Sequence, residues 1–522
     1  MCDMEKYFNI AGPCFPGEHY MLPALARFPG IMRLIERKQY VVVHAARQTG
    51  KTTAMLALVD AINAKGEMAA LYFTVEAAQP YTNPEEGIPV VVRAMVNALL
   101  LDPRWHDMVE REIVPKTSSS AFDVLSLFST LTRLCKRQLA IFIDEIDALS
   151  DGTLIAFLRQ LRSGYVTRAR IPFPASVALV GMRNIRDYKA QVRSDAHTLG
   201  SASPFNIVSE VLTLRNFNEE EVRELYAQHT DATGQVFEPD AVAEAYRLTA
   251  GQPWLVNAIA RECVEKIHDF RYGEPITFDD IGLAKEAIIR ARGTHVDSLM
   301  ERLKEERVRR VVEPVILGSE NGAPRNDDDC RYVLDMGLLR EDEHHALVPS
   351  NPMYTEIILR YLSHDEQEDF KSRYQTPFWL RADGSLDMPA LMAEFQKFWR
   401  ENSESHHEVY GYKEAMPHLV MMAFLQRVVN GGGRIIREMA LGSKRLDLCV
   451  EYKTFRYAVE LKMKRNYSHE KSLSQFAGYL DRLGLKEGWM PVFDEGKSTP
   501  WEEKLFLRDE IVDGKSIHVV GL

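Results

Sequence analysis

Cysteine is scarce and scattered. The six residues Cys2, Cys14, Cys135, Cys263, Cys330 and Cys449 include no C-x-x-C pair. That spacing argues against a zinc knuckle and against a disulfide framework, and it points to the reducing cytoplasm. No apolar run approaches the roughly 20 residues that span a bilayer, so no membrane partner is expected. Met1 to Gly12 carries acids and no apolar stretch, so a signal peptide is not expected. An excess of positive charge is also missing. With 64 Lys and Arg against 75 Asp and Glu, the net charge is −11. The whole chain is therefore not a basic nucleic-acid binder, and any such surface must be local. A length of 522 residues leaves room for about three domains.

Against these absences, Ala45-Ala46-Arg47-Gln48-Thr49-Gly50-Lys51-Thr52-Thr53 stands out, directly after the apolar run Tyr40-Val41-Val42-Val43. It reads as a buried strand, a phosphate-binding loop of the form G-x-x-x-x-G-K-[ST], and a helix. Backbone N–H groups at such a helix start converge on an anion. Lys51 is expected to reach the β- and γ-phosphates of ATP, and the Thr52 hydroxyl to hold Mg²⁺. Ala45, Gln48, Thr49, Gly50 and Thr53 complete the expected nucleotide contacts. Ala45 stands where the pattern has its first glycine, which weakens the match because glycine allows tight turns.

A second apolar run, Leu139-Ala140-Ile141-Phe142-Ile143, ends in Asp144-Glu145. Such a run suits a central parallel strand buried on both faces. Asp144 is expected at Mg²⁺ and Glu145 beside the attacking water. A third strand, Ser176 to Gly181, leads to Met182-Arg183-Asn184, where Arg183 is the expected γ-phosphate sensor and Asn184 the alternative. Arg159 and Arg162, on a helix from Leu154 to Tyr165, read chiefly as a solvated face, with an arginine finger for a neighbouring subunit's nucleotide as the alternative. Asn218-Glu219-Glu220-Glu221 opens a helix with a good N-cap, and Pro239 to Thr249 reads as another, ending at Ala250-Gly251-Gln252-Pro253. The stretch from Tyr40 to about Lys266 resembles P-loop ATPases of the AAA+/STAND group, including the archaeal-type ATPases. That resemblance implies ATP and Mg²⁺ as cofactors, a helical lid contacting nucleotide through Gly251 and Pro253, an N-terminal segment around Gly12-Pro13 and His19 to Pro23 near the base, and a tendency to homo-oligomerise on nucleotide binding. Beyond the lid, Tyr332 to Arg340, a turn at Glu341 to His345 and Ala346 to Pro349 read as a helix and a short hairpin, as in a winged helix.

The last part carries a different pattern. Arg445-Leu446-Asp447-Leu448-Cys449-Val450 and Arg456 to Lys462 alternate like strands. Within the second, Ala458, Glu460 and Lys462 fall on one face, and Asp447 can join them from its neighbour. Two carboxylates suit Mg²⁺ or Mn²⁺, and Lys462 suits a transition-state charge. This D-x12-E-x-K order resembles the PD-(D/E)XK nuclease superfamily, with Leu446 where a proline is common. The resemblance adds Glu414 as a further metal ligand, and Gln475 with Tyr479 as the Q-x-x-x-Y motif of the RecB-like branch. From Arg427 to Lys471 there are 11 Lys and Arg against 5 Asp and Glu, a local surplus fit for a phosphate backbone; DNA is favoured over RNA.

The expected fold is α/β multidomain: a P-loop parallel-sheet ATPase core over 1–210, a helical lid over 211–277, a winged-helix-like domain over 278–365, a linker over 366–388 and a PD-(D/E)XK-type α/β domain over 389–522. The expected function is an ATP-binding and ATP-hydrolysing switch coupled to a Mg²⁺-dependent nuclease, with defence against foreign DNA as a role by analogy. The alternative is a non-catalytic ATP-dependent switch whose last domain binds nucleic acid or protein.

Overall fold

The computed structural model describes residues 6–117, 122–182, 207–291, 293–317, 328–343, 345–362, 379–409, 420–422, 424–425, 428, 433–441, 444–464, 467–494 and 499–522. The chain forms two compact units: Met1–Val311 with Pro324–Tyr354, and Val312–Ala323 with Thr355–Leu522. None of the described helices is long and apolar enough to cross a membrane.

The first unit is built on five strands, β1 (Tyr40–His44), β2 (Met68–Thr74), β3 (Gln138–Asp144), β4 (Ser176–Gly181) and β5 (Val208–Thr213), in the order β2-β3-β4-β1-β5. Every pairing is parallel. The apolar runs of β1, β3 and β4 follow from burial on both faces. Alternate residues of one strand enter opposite cores. Val41, Val43, Ala140, Phe142, Ala178 and Val180 pack with Ala54, Met55 and Leu58 of the helix Lys51–Lys65. Val42, Leu139, Ile141, Ile143, Val177 and Leu179 pack with the helices Pro84–Leu101, Val124–Leu134 and Asp151–Thr167. Strands β2 and β5 are additions to the three that the sequence picks out.

Helices follow at Glu219–Thr233, Pro239–Thr249, Pro253–Arg261, continued by the π-helix Glu262–Ile267, and Phe278–Ala291. Asn218 and Glu221 form a reciprocal capping box on the first, as the Asn-Glu-Glu-Glu start foreshadows. After the helices Thr294–Leu303 and Asp328–Asp335, strands β6 (Leu339–Glu341) and β7 (Leu347–Pro349) form an antiparallel hairpin.

The second unit holds a mixed sheet of β8 (Gly433–Leu441), β9 (Lys444–Tyr452), β10 (Phe455–Val459), β11 (Lys462–Met463), β12 (Glu487–Phe493), β13 (Leu507–Val512) and β14 (Lys515–Gly521). The order is β13-β14-β12-β10-β9-β8, with β11 beside β12. The helix His469–Arg482 joins β11 to the parallel strand β12, and Met388–Val409 lies N-terminal to the sheet in sequence. The segment expected as linker up to residue 388 ends inside this unit's core. Leu386 and Met388 are each 1% exposed, they pack with Phe395, Trp399 and Val459, and the Leu386 N–H donates to the Tyr457 hydroxyl.

Candidate functional site

β1 delivers the chain to the loop, and the helix Lys51–Lys65 leaves it. Gly50, just before that helix, has φ 86°, a conformation natural to glycine. Gln48 also lies in the left-handed region, at φ 57°. Ala45 does not share this conformation. Its side chain is buried and its N–H donates to Gly181 O at 3.3 Å, extending the β1–β4 pairing. The departure from glycine therefore costs no backbone strain at this position.

Lys51 is 8% exposed. Its Nζ donates to the carbonyls of Ala45 (2.8 Å) and Ala46 (2.9 Å). Burial lowers its pKa, against the raising pull of Glu145, Asp144 and Asp147. The Thr49 hydroxyl closes the loop on Ala46 O at 2.9 Å. At the end of β3, Asp144 Oδ2 accepts from the Thr52 hydroxyl and from the Tyr72 hydroxyl of β2, each at 2.8 Å. Asp144 Oδ1 accepts from the Glu145 N–H at 2.9 Å. Glu145 turns out of the strand at φ 56°, and burial, then the Asp144 charge, raise its pKa. Thus Lys51, Thr52, Asp144 and Glu145 meet at the carboxyl ends of β1 and β3. Arg183 and Asn184 lie outside the described residues.

The Gly251-to-Pro253 step, expected as part of a lid, reaches the same loop. A Cβ on Gly251 would lie 1.8 Å from Phe217 O, so the close approach of the two backbones requires glycine there. Pro253 occupies the first turn of its helix, where no N–H is needed. Between them, Gln252 Nε2 donates to the carbonyls of Arg47 (3.5 Å) and Gln48 (3.3 Å). The N-terminal segment adjoins too: the Cys14 N–H donates to the Thr53 hydroxyl at 3.0 Å, and Trp254 Nε1 donates to Ile10 O at 2.8 Å.

Further contacts come from residues that no local pattern marks. His295 Nδ1 bonds the Gln48 side chain, and its Nε2 bonds the Tyr354 hydroxyl at 2.7 Å. Its ring stacks on Trp254 with centroids 4.6 Å apart. Burial pushes His295 down to about 4, so the ring is neutral at physiological pH. Arg47 donates to the Ser298 hydroxyl at 2.7 Å, and Gly337 sits against the Ala46 side chain.

In the second unit, Asp447 (β9), Glu460 and Lys462 (β11) come together. The expected continuous strand is interrupted. β10 stops at Val459 and β11 restarts at Lys462 on β12, while the Glu460 N–H donates to Trp489 O at 2.9 Å. The shared face nevertheless survives, because Lys462 Nζ donates to Glu460 Oε1 at 2.8 Å. Glu460 Oε2 accepts from the Asp447 N–H at 3.2 Å, and Asp447 Oδ2 from the Leu461 N–H at 2.8 Å. Glu460 is 2% exposed. Burial, then the Asp447 charge, push it up to about 7. Lys462 is raised, with Glu460 opposing the effect of burial. Gln475 Nε2 donates to the Tyr479 hydroxyl at 2.5 Å, and Tyr479 feels the charges of Glu460, Lys462 and Asp447. Glu414 lies outside the described residues. Among the described residues, no three His, Cys, Asp or Glu are grouped to hold a metal; Asp447 and Glu460 form a pair.

Comparison with known proteins bears on the first unit. No curated protein matches the chain. Solved structures that it resembles include a Walker-type ATPase of Pyrococcus abyssi (10% identity, TM-score 0.49, covering 67% of this chain and 99% of that one). The ORC2 protein of Aeropyrum pernix gives 14% identity and a TM-score of 0.38 over 66% and 93%. RuvB of Thermotoga maritima gives 15% and 0.33 over 64% and 92%. The model of the AAA-like domain matches residues 31–356. With the parallel sheet and the loop after β1, this match places the chain in the AAA-like domain family of P-loop ATPases.

Proposed function

We propose that the first unit binds and hydrolyses ATP and that the second is a Mg²⁺- or Mn²⁺-dependent nuclease under its control. The observation that carries the nucleotide reading is the meeting of Lys51, Thr52, Asp144 and Glu145 at one loop mouth. Lys51 would leave the Ala45 and Ala46 carbonyls for phosphate oxygens, exchanging neutral acceptors for charged ones. Thr52 and Asp144 would hold Mg²⁺, which supplies charge neutralisation for phosphoryl transfer. Glu145, with its raised pKa, would take the proton of the attacking water. Arg183 would sense the γ-phosphate, and Gly251 and Pro253 would bring the lid onto the nucleotide.

Glu460 and Asp447 fit a divalent cation. The buried Glu460 carboxylate and the half-buried Asp447 repel one another, and Asp447 Oδ1 accepts no hydrogen bond among the described residues. A bound cation supplies an activated water and offsets phosphodiester charge; Glu414 is a further proposed ligand. Lys462 would then exchange Glu460 for a phosphate oxygen, and Gln475 would hold Tyr479 beside it. The basic stretch from Arg427 to Lys471 would follow the backbone of DNA rather than RNA. The helix and hairpin over 328–349 would act as a winged helix that passes the nucleotide state onward. The domain limits expected above are kept, except that the linker ends before Leu386.

A second reading, a switch that grips nucleic acid without cutting it, is favoured by one fact. Three of the four carboxylate oxygens at this site already have internal partners. The deciding experiment incubates single- and double-stranded DNA and RNA with the protein and Mg²⁺ or Mn²⁺, with and without ATP, beside Glu460→Ala. Metal-dependent cleavage that the variant loses supports the nuclease. Salt-sensitive binding without cleavage supports the second reading.

A further inference from the structure

Arg27 ends the short 3-10 turn Ala24–Arg27 and is 6% exposed. Its neighbours Ala24 and Phe28 are fixed in the core against the helix Lys51–Lys65, so the guanidinium is aimed by a rigid support. It is aimed at the loop: a Cβ on Gly50 would lie 2.8 Å from Arg27 Nη2. Gly50 immediately precedes Lys51, at the helix start where the candidate phosphate cradle lies.

The partners of this cation are few. Nη1 donates to Arg215 O at 3.1 Å, and Cζ sits 4.8 Å from the Phe217 ring centre. Among the described residues no carboxylate pairs with it. Glu221, the acid it feels most, is engaged by both terminal nitrogens of Arg215 (2.6 and 2.7 Å) and by the Asn218 N–H. Burial lowers Arg27 to about 10, which leaves it charged at neutral pH. A buried charge without a direct counter-ion is costly, and a guanidinium with unused donors in a fork matches phosphate oxygens.

Its position relative to Lys51 is also informative. Lys51 feels Glu145, Asp144 and Asp147, whereas Arg27 feels Glu221, Arg215 and Cys14. Lys51 reaches back to the Ala45 and Ala46 carbonyls at the start of the loop, whereas Arg27 lies against Gly50 at its end. Phe217, beneath the guanidinium, donates its N–H to Gly251 O at 2.9 Å, so Arg27 also adjoins the lid step.

We propose that Arg27 is a second phosphate ligand of the nucleotide site, binding the phosphate chain of a nucleoside di- or triphosphate beside the helix start at Gly50. This rests on the nucleotide reading given above. The test is calorimetry of full-length protein with ADP, and displacement of a fluorescent nucleotide by adenosine, for the native chain, Arg27→Gln and Arg27→Lys. Loss of a charge-assisted contact predicts that Arg27→Gln weakens ADP about tenfold or more and leaves adenosine within about twofold. Arg27→Lys, which keeps the charge without the fork, should fall between. Unchanged ADP affinity in Arg27→Gln overturns the assignment, as does an equal loss for adenosine, which would make Arg27 a brace for the lid. If Arg27→Gln does not fold, unchanged ADP affinity in Arg27→Lys overturns it. If the native chain binds no ADP, the nucleotide reading fails first.

Discussion

Lys51, buried, and Lys462, half-buried, both sit among acids, yet they are held in opposite ways. Lys51 gives its protons to neutral backbone carbonyls, and its pKa is lowered. Lys462 gives one to a carboxylate, and its pKa is raised. The acids differ correspondingly. Asp144 is surrounded by hydroxyls and a backbone N–H, whereas Glu460 faces Asp447 and rises to about 7. The first site thus has a cation in need of an anion. The second has a carboxylate pair that shares one lysine. The first arrangement is the one proposed to take a phosphate, the second the one proposed to take a metal.

The sharpest break of this contrast is Lys51→Ala. ATP affinity should fall by about a hundredfold or more, as expected for a charged contact to phosphate, and unchanged affinity in calorimetry would remove the loop from the account. Glu460→Gln comes next. Mn²⁺ affinity of the second unit should drop by about tenfold or more, read by electron paramagnetic resonance, while ATP binding is retained.

The same group sets a pH dependence. Its folded-state pKa lies above the ordinary carboxyl value, so protonation stabilises the metal-free fold. That contribution is complete below about pH 4.3 and is lost as pH rises through about 7. Metal binding runs the other way and strengthens over this window. Glu460→Gln should flatten both curves, and a metal affinity that stays level in the native chain would contradict the assignment.

Gly251→Ala tests the first site from the side of the proposed lid. Its Cβ would collide with Phe217 O, at a cost of about 2–3 kcal/mol in stability, read by chemical denaturation. A cost below about 0.5 kcal/mol would mean the two backbones are free to separate. The smallest effect belongs to Tyr72→Phe, which deletes one of two hydroxyls on Asp144 Oδ2. The expected loss is about 1 kcal/mol, with a weakened Mg²⁺ dependence of nucleotide binding.

Much of the first unit is legible because β1, β3 and β4 are apolar runs buried on both faces, and because Asn218 and Glu221 sit at capping spacing. β5 escapes because it lies at the sheet edge with a mixed, half-exposed pattern, Val208 to Thr213. β2 is weak in sequence because Ala69 and Ala70 carry little strand preference. Contacts such as His295 with Gln48 join residues far apart in the chain, which no local period reveals. In the second unit, alternation finds Glu460 and Lys462 but not the break between them, which arises where the chain passes from β10 to a separate pairing with β12. The polar composition of 366–388 hides Leu386 and Met388, two residues that anchor the core.

The alanine at position 45 has one more consequence. Its backbone is outside the left-handed region, so the side chain removes no native conformation while it narrows those open to the unfolded chain. Relative to glycine this is worth about 0.4–1 kcal/mol of stability, gained in the unfolded chain and not through any contact of the folded loop. A pattern that insists on glycine at this place would therefore reject a residue that the fold accommodates and that favours it.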